Sequence, residues 1–175
     1  TGAPFGVVAL TQGSEVRRPD PDSPSGDGFA QESFVDIGTL ATISEFSSPQ
    51  AGLMLLRCTA GERFRITRRS RMKHGLWVAD VQALPPDAPT TVPPDLQLVA
   101  QALQNVITQL QARGSELPTP LQPPYQFEDC GWVANRWCEL LQLPPELKQS
   151  LMQLDNPLLR LELVGDFLSR SGIQA

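Results

Sequence analysis

The chain has one histidine, one tyrosine and three cysteines in 175 residues, and these scarcities remove whole classes of chemistry. A zinc hydrolase gathers His, Cys or carboxylate ligands at fixed spacings, whereas Cys58, Cys130 and Cys138 are dispersed with no CxxC pair. A nucleophilic Ser or Cys needs a histidine oriented beside it, and His74 stands in a turn signal, Lys73-His74-Gly75, with no motif partner. Neither a GxxxxGK(S/T) phosphate loop nor a GxGxxG fingerprint occurs, so nucleotide binding is not signalled. No apolar run approaches the ~20 residues that a membrane-spanning helix requires. Catalysis, cofactor, metal and membrane span are therefore all without support in the residues.

What is present suits a folded protein. Hydrophobic residues make up 41% and charged residues 19%, and a chain of this size buries roughly 70% of its unfolded surface. The formal charge of -5 argues against generic nucleic-acid binding, although a local basic patch could still attract an anion. Cys130 and Cys138 lie eight residues apart on one expected helix, about 12 Å along its axis and too far for a disulfide. Buried, reduced thiols are expected, which points to a reducing, cytoplasmic compartment. The chain starts at Thr1 and shows no signal peptide.

The first half reads as strands. Phe5 to Leu10 is a short apolar run expected to form a mostly buried strand. Arg17 to Ser33, with three prolines and two glycines, reads as a mobile loop. Its Asp20, Asp22 and Asp27 miss calcium-loop spacing because Pro24 stands where an oxygen ligand is needed. Val35 to Ile43 alternates as a strand, and Leu53 to Cys58, LMLLRC, predicts a strand interior to its sheet. A turn follows at Ala60-Gly61-Glu62. Arg63 to Met72 then places Arg63, Arg65, Thr67, Arg69 and Arg71 on one face, with Phe64 and Ile66 on the other. That arginine face is either a solvated edge guard or an anion, phosphate or acidic-partner site. Leu76 to Leu84 returns as the second strand of a hairpin.

Composition changes at PPDAPTTVPP, Pro85 to Pro94. Beyond it, Leu96, Val99, Leu103, Val106, Ile107 and Leu110 recur at helical spacing, and burying them contributes on the order of 10 kcal/mol before entropy. Loop residues Ser115 to Glu128 lead into DCGWVANRWCELLQLPPELKQSLMQLDNPLLRLELVGDFL, which writes three helices. Asp129 caps the first, Pro145 opens the second at its first turn, and Asn156-Pro157 starts the third. Trp132 lies off the main apolar stripe, so it either fills a junction between elements or contacts a partner.

The segments FGVVAL, GTLATI, GERFRI with GLWVADV, and the helical ending resemble the amino-terminal, substrate-binding domain of the ATP-dependent protease Lon. The resemblance spans nearly the whole chain; the RFRI strand and LLQLPPELKQSLMQLDNPLLRL are its more specific parts. It implies an α+β fold: a PUA-like β pseudo-barrel over residues 1–84, a proline-rich connector over 85–94, and an α-helical bundle over 95–175. It further implies a non-catalytic, bacterial module that engages unfolded or extended polypeptides, with a protease or chaperone as partner. RNA or anion binding through Arg63, Arg65, Arg69 and Arg71 is the alternative, since PUA-like folds serve RNA elsewhere. The family's domain opens with a further strand and helix before the FGVV strand, so a cleaved or trimmed start is expected. Such a start leaves an exposed strand edge and predicts pairing between chains.

Overall fold

The computed structural model describes residues 2–14, 19, 22, 31–73, 75–113, 121 and 123–172; His74 and most of the Arg17–Ser33 loop lie outside them. Two compact units divide the chain, Thr1–Pro86 and Asp87–Ala175. Strands come first and helices follow, an α+β arrangement.

In the first unit, β1 (Phe5–Val7), β4 (Ile37–Gln50), β5 (Leu53–Arg71) and β6 (Trp77–Ala83) form an antiparallel sheet in the order β1-β4-β5-β6. A second pair joins β2 (Leu10–Gln12) to β3 (Ser33–Phe34). The described strands close no barrel. Ile37 and Ala41 are buried on the side of the sheet that Arg65 shares, and Phe64, 3% exposed, is buried on the other. Gly6 and Gly38 let its ring approach, because a Cβ on either would sit within 2.9 Å of Phe64 Cζ.

Three sequence expectations change here. Phe5–Val7 is exposed rather than mostly buried, since it pairs with β4 alone as an edge strand. LMLLRC is not interior to a sheet. It belongs to a hairpin ribbon whose strand Ile43–Gln50 extends well past the span read from alternation, and every residue from Ile43 to Cys58 is exposed. Nor does the chain turn at Ala60-Gly61-Glu62: β5 runs through it, with Thr39 facing Arg63 and Ala41 facing Ala60. Two residues of β5 oppose one of β4 there, which is a β-bulge. A turn and a bulge both favour glycine, and local sequence does not separate them.

The second unit holds a 3-10 turn (Pro94–Leu96), α1 (Gln97–Ala112), α2 (Cys130–Leu140), α3 (Pro145–Gln153) and α4 (Pro157–Arg170). Its caps are the ones read from the sequence. The Asp129 carboxylate accepts from Trp132 N–H at 2.8 Å, and Asn156 Oδ1 accepts from the N–H groups of Leu158 and Leu159. Leu103, Ile107, Val133, Leu161, Val164 and Leu168 are all at most 2% exposed and make the main core. Trp137 donates its indole N–H to Val99 O at 3.0 Å, so α2 meets α1 without an orphaned polar atom.

The proline-rich segment is strapped onto this helical unit. Thr90 N–H donates to Asp129 Oδ2, Cys130 N–H to Thr90 O, and Val92 N–H to Glu128 O. Arg160 fastens it further. Only 2% exposed, its guanidinium donates to both Asp87 carboxylate oxygens at 2.5 and 3.0 Å. It also reaches Asn135 Oδ1, Leu151 O and Leu154 O. One buried cation thus ties the strap to α2, α3 and α4, with its charge paired and its donors used.

Candidate functional site

The arginine strand is not a single face. Ile66 faces Val81 and Arg68 faces Asp80, leaving Thr67 as an extra residue in β5. Since facing residues share a side of the sheet, the bulge inverts the alternation. Arg63, Arg65, Arg68 and Ser70 therefore stand on one side, while Phe64, Ile66, Arg69 and Arg71 stand on the other.

Each set has different company. Arg69 lies 4.8 Å over the Phe34 ring, donates to Phe34 O at 3.3 Å and pairs with Asp36. Arg71 lies 5.6 Å over Trp77, whose ring meets Phe34 edge-on at 5.1 Å. Trp77 donates its indole N–H to Glu32 Oε2 at 2.9 Å. These two arginines are stacked on aromatics, contacts worth about 0.5–1 kcal/mol each near a surface. On the opposite side, Arg68 pairs with Asp80 at 2.8 Å, Arg63 donates to Pro85 O at 3.4 Å, and Arg65 is exposed. Arg68, Ser70, Val78, Ala79 and Asp80 line a groove there. Alternation alone has no means of revealing the split, because an inserted residue leaves no compositional mark.

Trp132 sits in the helical unit within an aromatic cluster. Its ring meets Phe127 edge-on at 5.1 Å and Tyr125 at 6.2 Å, and Arg136 lies 5.7 Å above it. Among the described residues, no three His, Cys, Asp or Glu side chains gather in a way that could hold a metal ion.

A further exposed surface is the ribbon, whose Leu53–Cys58 strand was expected inside a sheet. Ile43 faces Cys58 and Phe46 faces Leu56, and Met54 is on the same side of β5 as Leu56. Ile43, Phe46, Met54 and Leu56 are 42%, 62%, 69% and 54% exposed. The other side carries the one cross-strand ion pair of this stretch among the described residues, Arg57 to Glu45 at 3.4 Å, so the apolar face has no charge upon it. Two unsupported strands with so much wet apolar area have a shape that asks for a partner.

All three cysteines are free, and Cys58 is exposed on this ribbon, contrary to the buried thiol expected. Burial raises the thiol pKa of Cys130, aided by the Asp129 carboxylate, and burial also raises that of Cys138. With Ellman's reagent at pH 8, Cys58 should react at once, Cys138 slowly, and Cys130 only as the helical unit opens. Mass spectrometry of quenched samples reads the order.

A family model described as the substrate-binding domain of ATP-dependent protease La (Lon) matches residues 1–170. In solved structures the chain is similar to the Lon N-terminal domain protein from Xanthomonas campestris, at 24% identity and a TM-score of 0.60, over 93% of this chain and 88% of that one. It is similar also to the N-terminal domain of the Mycobacterium avium complex Lon protease, at 16% identity and a TM-score of 0.51, over 94% and 90%. A search of curated proteins returned no match. The structural likenesses speak for the fold, and the family match over nearly every residue speaks for kinship: the chain belongs to the Lon substrate-binding domain family.

Proposed function

We propose that the chain is a non-catalytic polypeptide-binding module that takes extended, apolar segments of unfolded polypeptides on the apolar face of the β4–β5 ribbon. The carrying observation is that face: Ile43, Phe46, Met54 and Leu56, uncharged and each at least 42% exposed. Covering apolar area gains about 25 cal/mol per Å², and an extended segment offers alternate side chains to such a surface. Membership of a substrate-binding family supports the same class of ligand. A protease or chaperone that shares these polypeptides is the partner this reading implies. Free thiols support a cytoplasmic site of action.

Fluorescence anisotropy of labelled, reduced and carboxymethylated α-lactalbumin, a permanently unfolded polypeptide, tests the reading. Saturable micromolar binding is expected, weakened about tenfold, or about 1.4 kcal/mol, by Ile43→Ser with Phe46→Ser. Both positions are exposed, so folding should be little affected. Equal binding by wild type and the double variant would end the assignment to this face, and no saturation at all would end the polypeptide reading. RNA binding through the arginine strand is the weaker reading, because Arg69 and Arg71 stack on aromatics away from Arg63, Arg65 and Arg68.

A further inference from the structure

The ribbon has two outer edges, and they are not alike. On β4, Ser44 is a bulge, Glu45 is charged, and the register shifts again before Gln50, with Pro49 in between. Bulges, charges and proline are the devices that blunt a sheet edge against strand addition. The outer edge of β5 has fewer. Among the described residues no strand pairs with it until β6 meets Phe64, and from Leu53 to Ala60 it runs without a bulge of its own, Arg57 being its one charged residue.

We infer that this edge of β5 pairs antiparallel with the same edge of a second copy of the chain, about a two-fold axis through Leu56. Three constraints select the register. Facing residues must come from the same side of each sheet, so the axis passes through a residue rather than between two. The regular run from Leu53 to Ala60 is bounded by the Ala51-Gly52 turn and the Gly61-Glu62 bulge, so overlap is greatest with the axis on Leu56 or Arg57. An axis on Arg57 sets guanidinium against guanidinium, and directly opposed like charges destabilise a sheet. Leu56 then faces its own copy, Met54 faces the partner's Cys58, and Leu55 faces the partner's Arg57. Every facing pair on the apolar side is hydrophobic, and each Arg57 retains Glu45 of its own chain.

Edge pairing lies in the plane of the sheet. The apolar faces of two ribbons become one four-stranded platform, still open above. The proposed polypeptide site is thereby doubled in area rather than covered, and each reading stands without the other.

Sedimentation velocity across concentration reads the assembly. A seven-residue ladder with few side-chain contacts is small for an interface, so a reversible dimer in the range of about 10–100 μM is expected. Leu56→Lys opposes two ammonium groups at the axis and should leave a monomer. Register is read by oxidation with diamide, which takes two electrons and two protons from a pair of thiols. In a Cys58→Ser background, Leu56→Cys should give a covalent dimer within minutes, while Phe46→Cys, exposed on the other strand, should not. In an otherwise unchanged chain, Met54→Cys should cross-link to Cys58 of the partner. A wild type that stays monomeric to about 1 mM, a dimer that survives Leu56→Lys, or equal cross-linking from positions 46 and 56 would overturn the proposal.

Discussion

Arg160→Ala should destabilise the helical unit by about 3–5 kcal/mol, the range for breaking a buried pair by removing one partner. Against a typical domain stability of about 5–15 kcal/mol this is the difference between a folded and a largely unfolded bundle. The loss has two parts. Asp87 would keep a carboxylate, 21% exposed, with no guanidinium against it, and Leu151 O, Leu154 O and Asn135 Oδ1 would each lose the hydrogen bond that Arg160 gives them, Leu151 O keeping the one from Leu154 N–H. Arg160→Lys should recover only a fraction, because a single ammonium cannot fork across both oxygens of Asp87 and still reach the two helix-end carbonyls. Replacing the pair together, Arg160→Met with Asp87→Leu, should recover more than either single change, since no charge is left stranded. Urea unfolding followed by tryptophan fluorescence in a Trp77→Phe background reads the helical unit through Trp132 and Trp137. A midpoint unchanged by Arg160→Ala would show that the cluster contributes little.

Gly38→Ala should be the most damaging single methyl in the strand unit. Its Cβ would lie 2.6 Å from Val8 Cγ1 and 2.8 Å from Phe64 Cζ, and closer still to the backbone carbonyl of Val7. A flexible side chain can swing away from such a contact, but a strand backbone cannot move without giving up its ladder. The expected cost is about 3 kcal/mol, at the upper end of overpacking, with loss of the β1–β4 pairing at Thr39 and Ala41. Gly61→Ala is the matched control. There the nearest atom is Leu40 O at 3.6 Å, an ordinary contact, and the change should stay within about 0.5 kcal/mol. Thermal unfolding, with hydrogen exchange at Phe5 and Val7, compares them. Equal effects at the two glycines would show that Gly38 is not placed for close approach.

The helical half was legible because its signals are local. Asp129, Pro145 and Asn156-Pro157 sit within one turn of the helices they start, and the i, i+3, i+4 spacing of Val99, Leu103 and Ile107 names a buried face directly. Arg160 was not legible. A single arginine in an amphipathic helix reads as solvated, and its partner lies 73 residues away, in a segment whose composition suggests a loose connector.

The strand half was legible in part. Alternation found the strands, but not which sides were covered, since LMLLRC satisfies the rule for a strand buried on both sides while every residue of it is exposed. Burial of a strand is decided by neighbours that its own sequence does not encode. The ribbon face thus escaped detection for the same reason that it is interesting: it has the composition of an interior without the company of one.

Thr67 bears on how this family can vary in length. A gene that lost that one codon would lose the bulge and keep both faces: Arg68 would follow Ile66 in plain alternation, still opposite Asp80, and Arg69 and Arg71 would stay on the side of Phe34 and Trp77. Loss of one residue at this point is therefore silent for both surfaces, because the residue removed is the one without a partner across the ladder. A second residue inserted beside Thr67 has no such place to go and would exchange the faces beyond it. Strand length should therefore drift downward at Thr67 more readily than upward.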